Sequence, residues 1–245
     1  MGRMSDADLH FYFDPVGPFA WITSSWVRKV TAQRDYAVDW RFISLRLVNA
    51  DVDYAAQFPP EYEAGHTAGL RLLRVAARAR AEHGREVVGP LYAAMGARIF
   101  DSAPVSDDQA AREVRDTRAF VEPLLREAGL DPALADALED SSLDPVIQAE
   151  TDEALGLTGK DVGTPILHFR PPTGVAFFGP VISRVPSDED AGPLWDHVVG
   201  LAAFPGFAEL KRSLRERPQL RALGVDVDQA GVEEDWHGGS RRLKK

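Results

Sequence analysis

Between residues 9 and 44 the chain passes from a strand pattern through a proline-opened helix pattern to a second strand pattern, the order of a β-α-β unit. Leu9-His10-Phe11-Tyr12-Phe13-Asp14 alternates and is rich in aromatic residues, which predicts a strand ending at Asp14-Pro15. After a sharp turn at Val16-Gly17-Pro18 comes an apolar stretch of helical length, Phe19 to about Thr31, with Trp26, Val27 and Val30 at helical spacing. Proline suits a first helical position, because the N–H it lacks would be unpaired there. Tyr36 to Ser44 alternates again. Two strands joined by one helix lie parallel in a sheet.

From about Pro59 to Lys160 the periodicity turns helical. Glu61–His83, Gly89–Phe100, Asp107–Ala128, Pro132–Asp140 and Pro145–Thr158 each carry apolar residues three and four apart, separated by glycine and proline breaks. Strands return at Pro165–Phe169 and Val175–Phe178, joined by the turn Arg170-Pro171-Pro172-Thr173-Gly174. Two helices are expected after them, Glu189–Phe204 and Phe207–Arg215. Beyond Val225 no core-forming pattern is left, which predicts a mobile tail. The expected fold is α/β, with one parallel pair, an antiparallel hairpin and an all-helical subdomain. Residues 9–58 and 161–217 would form the sheet domain, 59–160 the helical insertion and 218–245 the tail.

Lys and Arg number 28 against 38 Asp and Glu, a net charge of −10 that disfavours nucleic acid and anionic membranes as partners. No stretch is long and apolar enough for a membrane helix, and no secretory segment follows Met1, so a cytoplasmic protein is expected. There is no cysteine. That removes disulfides, protein thiolates and sulfur-based metal sites. No phosphate loop, dinucleotide fingerprint or metal-ligand spacing is present, so neither nucleotide cofactor nor metal is expected.

Phe13-Asp14-Pro15-Val16-Gly17-Pro18-Phe19-Ala20-Trp21-Ile22-Thr23-Ser24 resembles the active-site strand, turn and helix of the actinobacterial mycothiol-dependent nitroreductases, a branch of the DsbA-like thioredoxin-fold proteins. Further matching stretches are Pro90-Leu91-Tyr92-Ala93-Ala94-Met95-Gly96, Asp161-Val162-Gly163-Thr164-Pro165, Val175-Ala176-Phe177-Phe178-Gly179-Pro180 and Ala191-Gly192-Pro193-Leu194-Trp195-Asp196. The resemblance implies a thioredoxin-like domain with an inserted helical subdomain, and a cis-proline loop at Thr164-Pro165 facing the helix start. Where such proteins begin that helix with Cys-Pro-Trp-Cys or Cys-Pro-Trp-Ala, this chain has Gly17-Pro18-Phe19-Ala20. Thiol–disulfide exchange needs an attacking thiolate. This chain has none to offer.

What is left is a helix start with backbone N–H donors at Gly17 to Trp21 and a positive dipole end, suited to an anion or oxyanion. Gly17, Pro18, Phe19, Ala20, Trp21, Asn49, Thr164 and Pro165 are the expected substrate-binding residues, and Trp26 is expected in the core. His66, as a neutral-pH acid–base, and Tyr62 are the catalytic candidates; the alternative for His66 is a solvent-facing helix position. His168 is expected to make a structural hydrogen bond, and His10 and His197 have no partner at metal-ligand spacing. Arg71, with Arg74 and Arg78, forms either a solvated stripe or a clamp for an anionic or carrier-bound small-molecule substrate. The sequence supports three activities: a non-redox isomerase or cyclase of specialised metabolism, a non-catalytic ligand or partner binder, or a reductase using a low-molecular-weight thiol such as mycothiol.

Overall fold

Leu9–Phe13 (β1) and Val38–Phe42 (β2) pair in parallel, with Leu9 opposite Val38 and Phe13 opposite Phe42, as the helix between them requires. Ile166–Phe169 (β3) pairs antiparallel with β1, and Ala176–Phe178 (β4) antiparallel with β3, so the sheet order is β2-β1-β3-β4. The computed structural model describes residues 7–59, 61–103, 113–159, 162–211, 214–216, 218–225 and 233–235. The result is a mixed α/β architecture, helical for the most part, around a four-stranded sheet.

Helix α1 (Pro18–Gln33) starts on Pro18 with Gly17 as its extended N-cap. Its apolar residues occupy nearly every side, because it is covered on nearly every side. Trp26 meets Trp195 edge to face at 5.2 Å and 88°, and its Nε1–H donates to the Ala191 carbonyl at 2.9 Å. Trp195 belongs to α8 (Asp188–Ala203). Burying side chains of this size stabilises by roughly 1.5–3 kcal/mol each.

Between β2 and β3 every regular element among the described residues is helical. Two short helices, α2 (Leu45–Val48) and α3 (Tyr54–Gln57), are capped by the side chains of Ser44 and Asp53. Then come α4 (Glu61–His83), α5 (Val88–Phe100), α6 (Arg118–Glu127) and α7 (Asp144–Thr158). The sheet meets α5 where Phe13 stacks on Tyr92 at 3.8 Å. Two chains of contacts hold α7: Glu150 accepts from the Phe42 N–H at 2.8 Å and pairs with Arg80 of α4, also at 2.8 Å.

The structure departs from the sequence periodicity in four places. The helix expected over Asp107–Ala128 is broken by a turn before Thr117, whose side chain caps α6; residues 104–112 lie outside the described residues. Pro132–Glu139 is a 3-10 helix rather than an α-helix, closed by the Asp131 side chain on the Ala133 N–H. No helix spans Phe207–Lys211; instead Leu214–Glu216 (β5) pairs with Glu233–Asp235 (β6). The expected tail therefore contributes a strand, and Leu220 is 5% exposed within the core; residues 226–232 and 236–245 lie outside the described residues.

Candidate functional site

A turn at the end of β1 organises the site. Asp14 is fully buried there, its Oδ1 accepting the Val16 N–H at 3.0 Å and its Oδ2 accepting the Leu45 N–H at 2.7 Å. One carboxyl thus ties the start of α1 to the start of α2. Helix α4 presses on it at Gly69, where an added Cβ would lie 2.5 Å from Asp14 Oδ1. Burial pushes the Asp14 carboxyl up to about 7, against the two backbone N–H groups that favour its charged form. Sequence reasoning passed over Asp14; an aspartate between a strand and a proline is the residue type that accepts from backbone N–H groups in turns, and that was the available signal.

The helix start offers fewer donors than the sequence suggests. The Gly17 N–H donates to the Asp14 carbonyl and the Trp21 N–H to the Gly17 carbonyl, each at 3.0 Å, and Pro18 has no N–H. The Thr164–Pro165 bond is cis, as expected, and Thr164 packs against the turn. The Thr164 hydroxyl donates to the Tyr12 carbonyl at 3.3 Å, while its methyl fills the side-chain position at residue 17: a Cβ built on Gly17 would lie 2.8 Å from Thr164 Cγ2.

In front of the turn lies a cleft of about 1890 Å³. Its turn end is lined by Pro18, Phe19, Asn49, Tyr62, His66 and Thr164, six of the expected site residues. Asn49 caps α2, with its Nδ2 donating to the Leu45 carbonyl at 2.7 Å. The other end runs between β4 and α8 along Phe177, Phe178, Val198 and Leu201.

His66 is 9% exposed, which corrects the solvent-facing alternative. Its Nδ1 lies 2.9 Å from the Tyr54 hydroxyl, and Tyr54, Phe58 and Tyr62 surround its ring. Tyr54 was not anticipated, because it stands on a four-residue helix that no periodicity marks.

Four expected site residues lie elsewhere. Ala20 is fully buried, and Trp21 turns its ring onto Gly96 of α5 and donates from Nε1 to Asp101 at 3.1 Å, so both belong to the core. Pro165 is behind Thr164 in the loop and does not line the cleft. Arg71 lies on a separate hollow of about 590 Å³ and is ion-paired with Asp116 at 2.9 Å and Glu139 at 3.1 Å. Arg74 holds Asp144 through two bonds and Arg78 holds Asp140, so the whole stripe is matched by carboxylates of the helical region. Gly17, the remaining candidate, contributes backbone next to the cleft without lining it.

His168 makes its structural bond, Nε2 to the Gly174 carbonyl at 3.2 Å, and Trp26 is fully buried. Asp196 pairs with Arg34, while its neighbour His197 lines the far end of the cleft. Among the described residues no group of three His, Cys, Asp or Glu is placed to hold a metal, and no helix is long and apolar enough to cross a membrane.

The sequence profile of the family described as "Rv2466c-like: Mycothiol-dependent nitroreductase Rv2466c" matches residues 16–212. A protein of Mycobacterium tuberculosis H37Rv described as "Uncharacterized protein Rv2286c" is 31% identical over 205 residues, 83% of this chain and 81% of its own length. Its match to that profile over most of its length, on a sheet and cleft built around the helix start, makes this chain a member of the Rv2466c-like mycothiol-dependent nitroreductase family.

Proposed function

We propose that the protein is a cysteine-free, thiol-dependent reductase of small organic substrates, with nitro compounds as the first substrate class to try. The observation that carries this reading is the pairing of an open cleft with a closed side-chain position at Gly17. The chain has no sulfur nucleophile, so in this reading the thiol is a co-substrate bound beside the substrate. A cleft of about 1890 Å³ has room for both, since single small-molecule sites typically run to roughly 300–1,000 Å³. Two low-molecular-weight thiols, mycothiol in an actinobacterium, supply two electrons and two protons as they become a disulfide, which takes a nitro group to nitroso and water.

The chain's own residues bind and orient. Phe19 and Phe178 offer flat apolar walls for an aromatic ring, and Asn49 and Thr164 offer polar anchors near the turn. The N-terminal end of the α1 dipole is positive and favours negative charge developing on a substrate beside it. In this reading His66 and Tyr62, which line the cleft, hand a proton to that charge. In the same reading the sheet is thioredoxin-like, formed by residues 9–58 and 161–217, with 59–160 as a DsbA-like helical insertion. A reducing cytoplasmic compartment suits the co-substrate.

The test mixes purified protein with a nitroaromatic probe and a monothiol. Protein-dependent loss of the nitro absorbance is expected, with two thiols oxidised for each nitro group reduced and no rate without thiol. Absence of any protein-dependent loss overturns the reading. Isomerised or cyclised product formed without thiol oxidation favours the non-redox activity instead, which the family comparison does not support.

A further inference from the structure

The ring of His66 is held more tightly than a cleft wall requires. Tyr54, Phe58 and Tyr62 stand around it with centroids 5.7, 5.9 and 5.6 Å away and planes turned by 75°, 75° and 73°. Three rings in edge-to-face contact oppose rotation of the imidazole about its own axis. The fourth restraint is polar: the Tyr54 hydroxyl lies 2.9 Å from Nδ1, within a buried environment. Tyr54 itself is 7% exposed and does not line the cleft, although Phe58, Tyr62 and His66 do.

The direction of that hydrogen bond follows from its surroundings. The Arg46 guanidinium lies 4.9 Å from the Tyr54 ring centroid. A cation beside a phenol weakens the oxygen as an acceptor and strengthens its O–H as a donor. Burial also raises the Tyr54 hydroxyl above its ordinary value, against the pull of Arg46, so the proton stays on the phenol at neutral pH. An imidazole nitrogen that receives an O–H is the unprotonated one, and the other nitrogen then carries the hydrogen.

We propose that Tyr54 is a positioning residue: its hydroxyl donates to His66 Nδ1, fixes the tautomer protonated at Nε2, and makes His66 a hydrogen-bond donor toward an oxygen-bearing group of the substrate. The inference rests on the reductase reading for its catalytic consequence; the tautomer rests on the 2.9 Å contact and on the guanidinium beside Tyr54.

The experiment uses the full chain labelled with ¹⁵N-histidine, with His66 assigned by comparison with His66→Gln. At neutral pH a long-range ¹H–¹⁵N spectrum is expected to show an unprotonated Nδ1 and a protonated Nε2 for His66. Tyr54→Phe keeps the ring and removes only the hydroxyl; its His66 signals are expected to move toward a mixture of tautomers. The same variant is expected to lower kcat for thiol-dependent nitro reduction by about tenfold, the worth of one lost buried hydrogen bond, with KM for the thiol changed less than about twofold. A protonated Nδ1 in the wild type, a spectrum indifferent to Tyr54→Phe, or an unchanged kcat in an active enzyme overturns the inference. The expected spectra together with no nitro reduction by the wild type uphold Tyr54 as the anchor of His66 and overturn the reductase reading instead. Should Tyr54→Phe not fold, the wild-type spectrum decides the tautomer by itself.

Discussion

Asp14 and Gly17 show how much of the site rests on single atoms. A fully buried carboxyl with its pKa raised from 3.8 to about 7 binds its proton more tightly in the folded chain than in the unfolded one. Its contribution to stability therefore falls as pH rises from about 4 to about 7, by up to roughly 1.4 kcal/mol per pH unit. Asp14→Asn removes that slope, so the difference in unfolding free energy between wild type and variant is expected to vary across this window; denaturant titrations at pH 5 and pH 8 measure it. Gly17→Cys tests the packed side-chain position. Its Cβ presses on Thr164 Cγ2, which is expected to cost about 1–3 kcal/mol and lower the Tm. Adding Thr164→Ser makes room if the remaining hydroxyl keeps its bond to Tyr12, and the double variant is expected to recover most of the loss and to expose a thiol of lowered pKa at the helix start. Thermal melts and the pH dependence of alkylation read both effects. None of these contacts follows from local sequence: Asp14 reaches Leu45 across 31 residues and Thr164 reaches Tyr12 across 152.

At the scale of elements, the helical region is fastened to the sheet by a few buried polar ties. Arg80 of α4 and Glu150 of α7 form an ion pair with side chains 11% and 10% exposed, and Glu150 also holds the Phe42 N–H of β2. Removing Arg80 by Arg80→Ala leaves a buried carboxylate without its cation, and a loss of about 3–5 kcal/mol in unfolding free energy is expected. Arg71 makes a useful contrast. Its partners are partly exposed, so Arg71→Gln is expected to change stability by no more than about 1 kcal/mol and to leave KM for substrate unaltered, because it stands outside the cleft. Steady-state kinetics and melting of these two variants separate a structural arginine from a binding one. The helix boundaries of α1, α4, α7 and α8 were legible in apolar spacing and in proline and glycine punctuation. The short helices α2 and α3 were not, since four residues carry no period; their caps, Ser44 and Asp53, were the only marks.

For the whole molecule, an absent residue type decides the chemistry. With no cysteine, the purified protein is expected to give no insulin reduction above that of dithiothreitol alone, and turbidity measurements check it. That absence, together with the succession of strand, helix and strand patterns, was complete in the sequence, because composition and local periodicity need no knowledge of partners. Which side chains face the cleft was decided only by the tertiary structure. On α1, Phe19, Ala20 and Trp21 are all apolar and all buried, so hydrophobicity does not distinguish the one that lines the cleft from the two that pack inside. Likewise Arg71 and His66 lie five positions apart on α4, yet carboxylates from distant segments claim the first while Tyr54 and the cleft receive the second. A side chain's neighbours across space, rather than its neighbours along the chain, set its role.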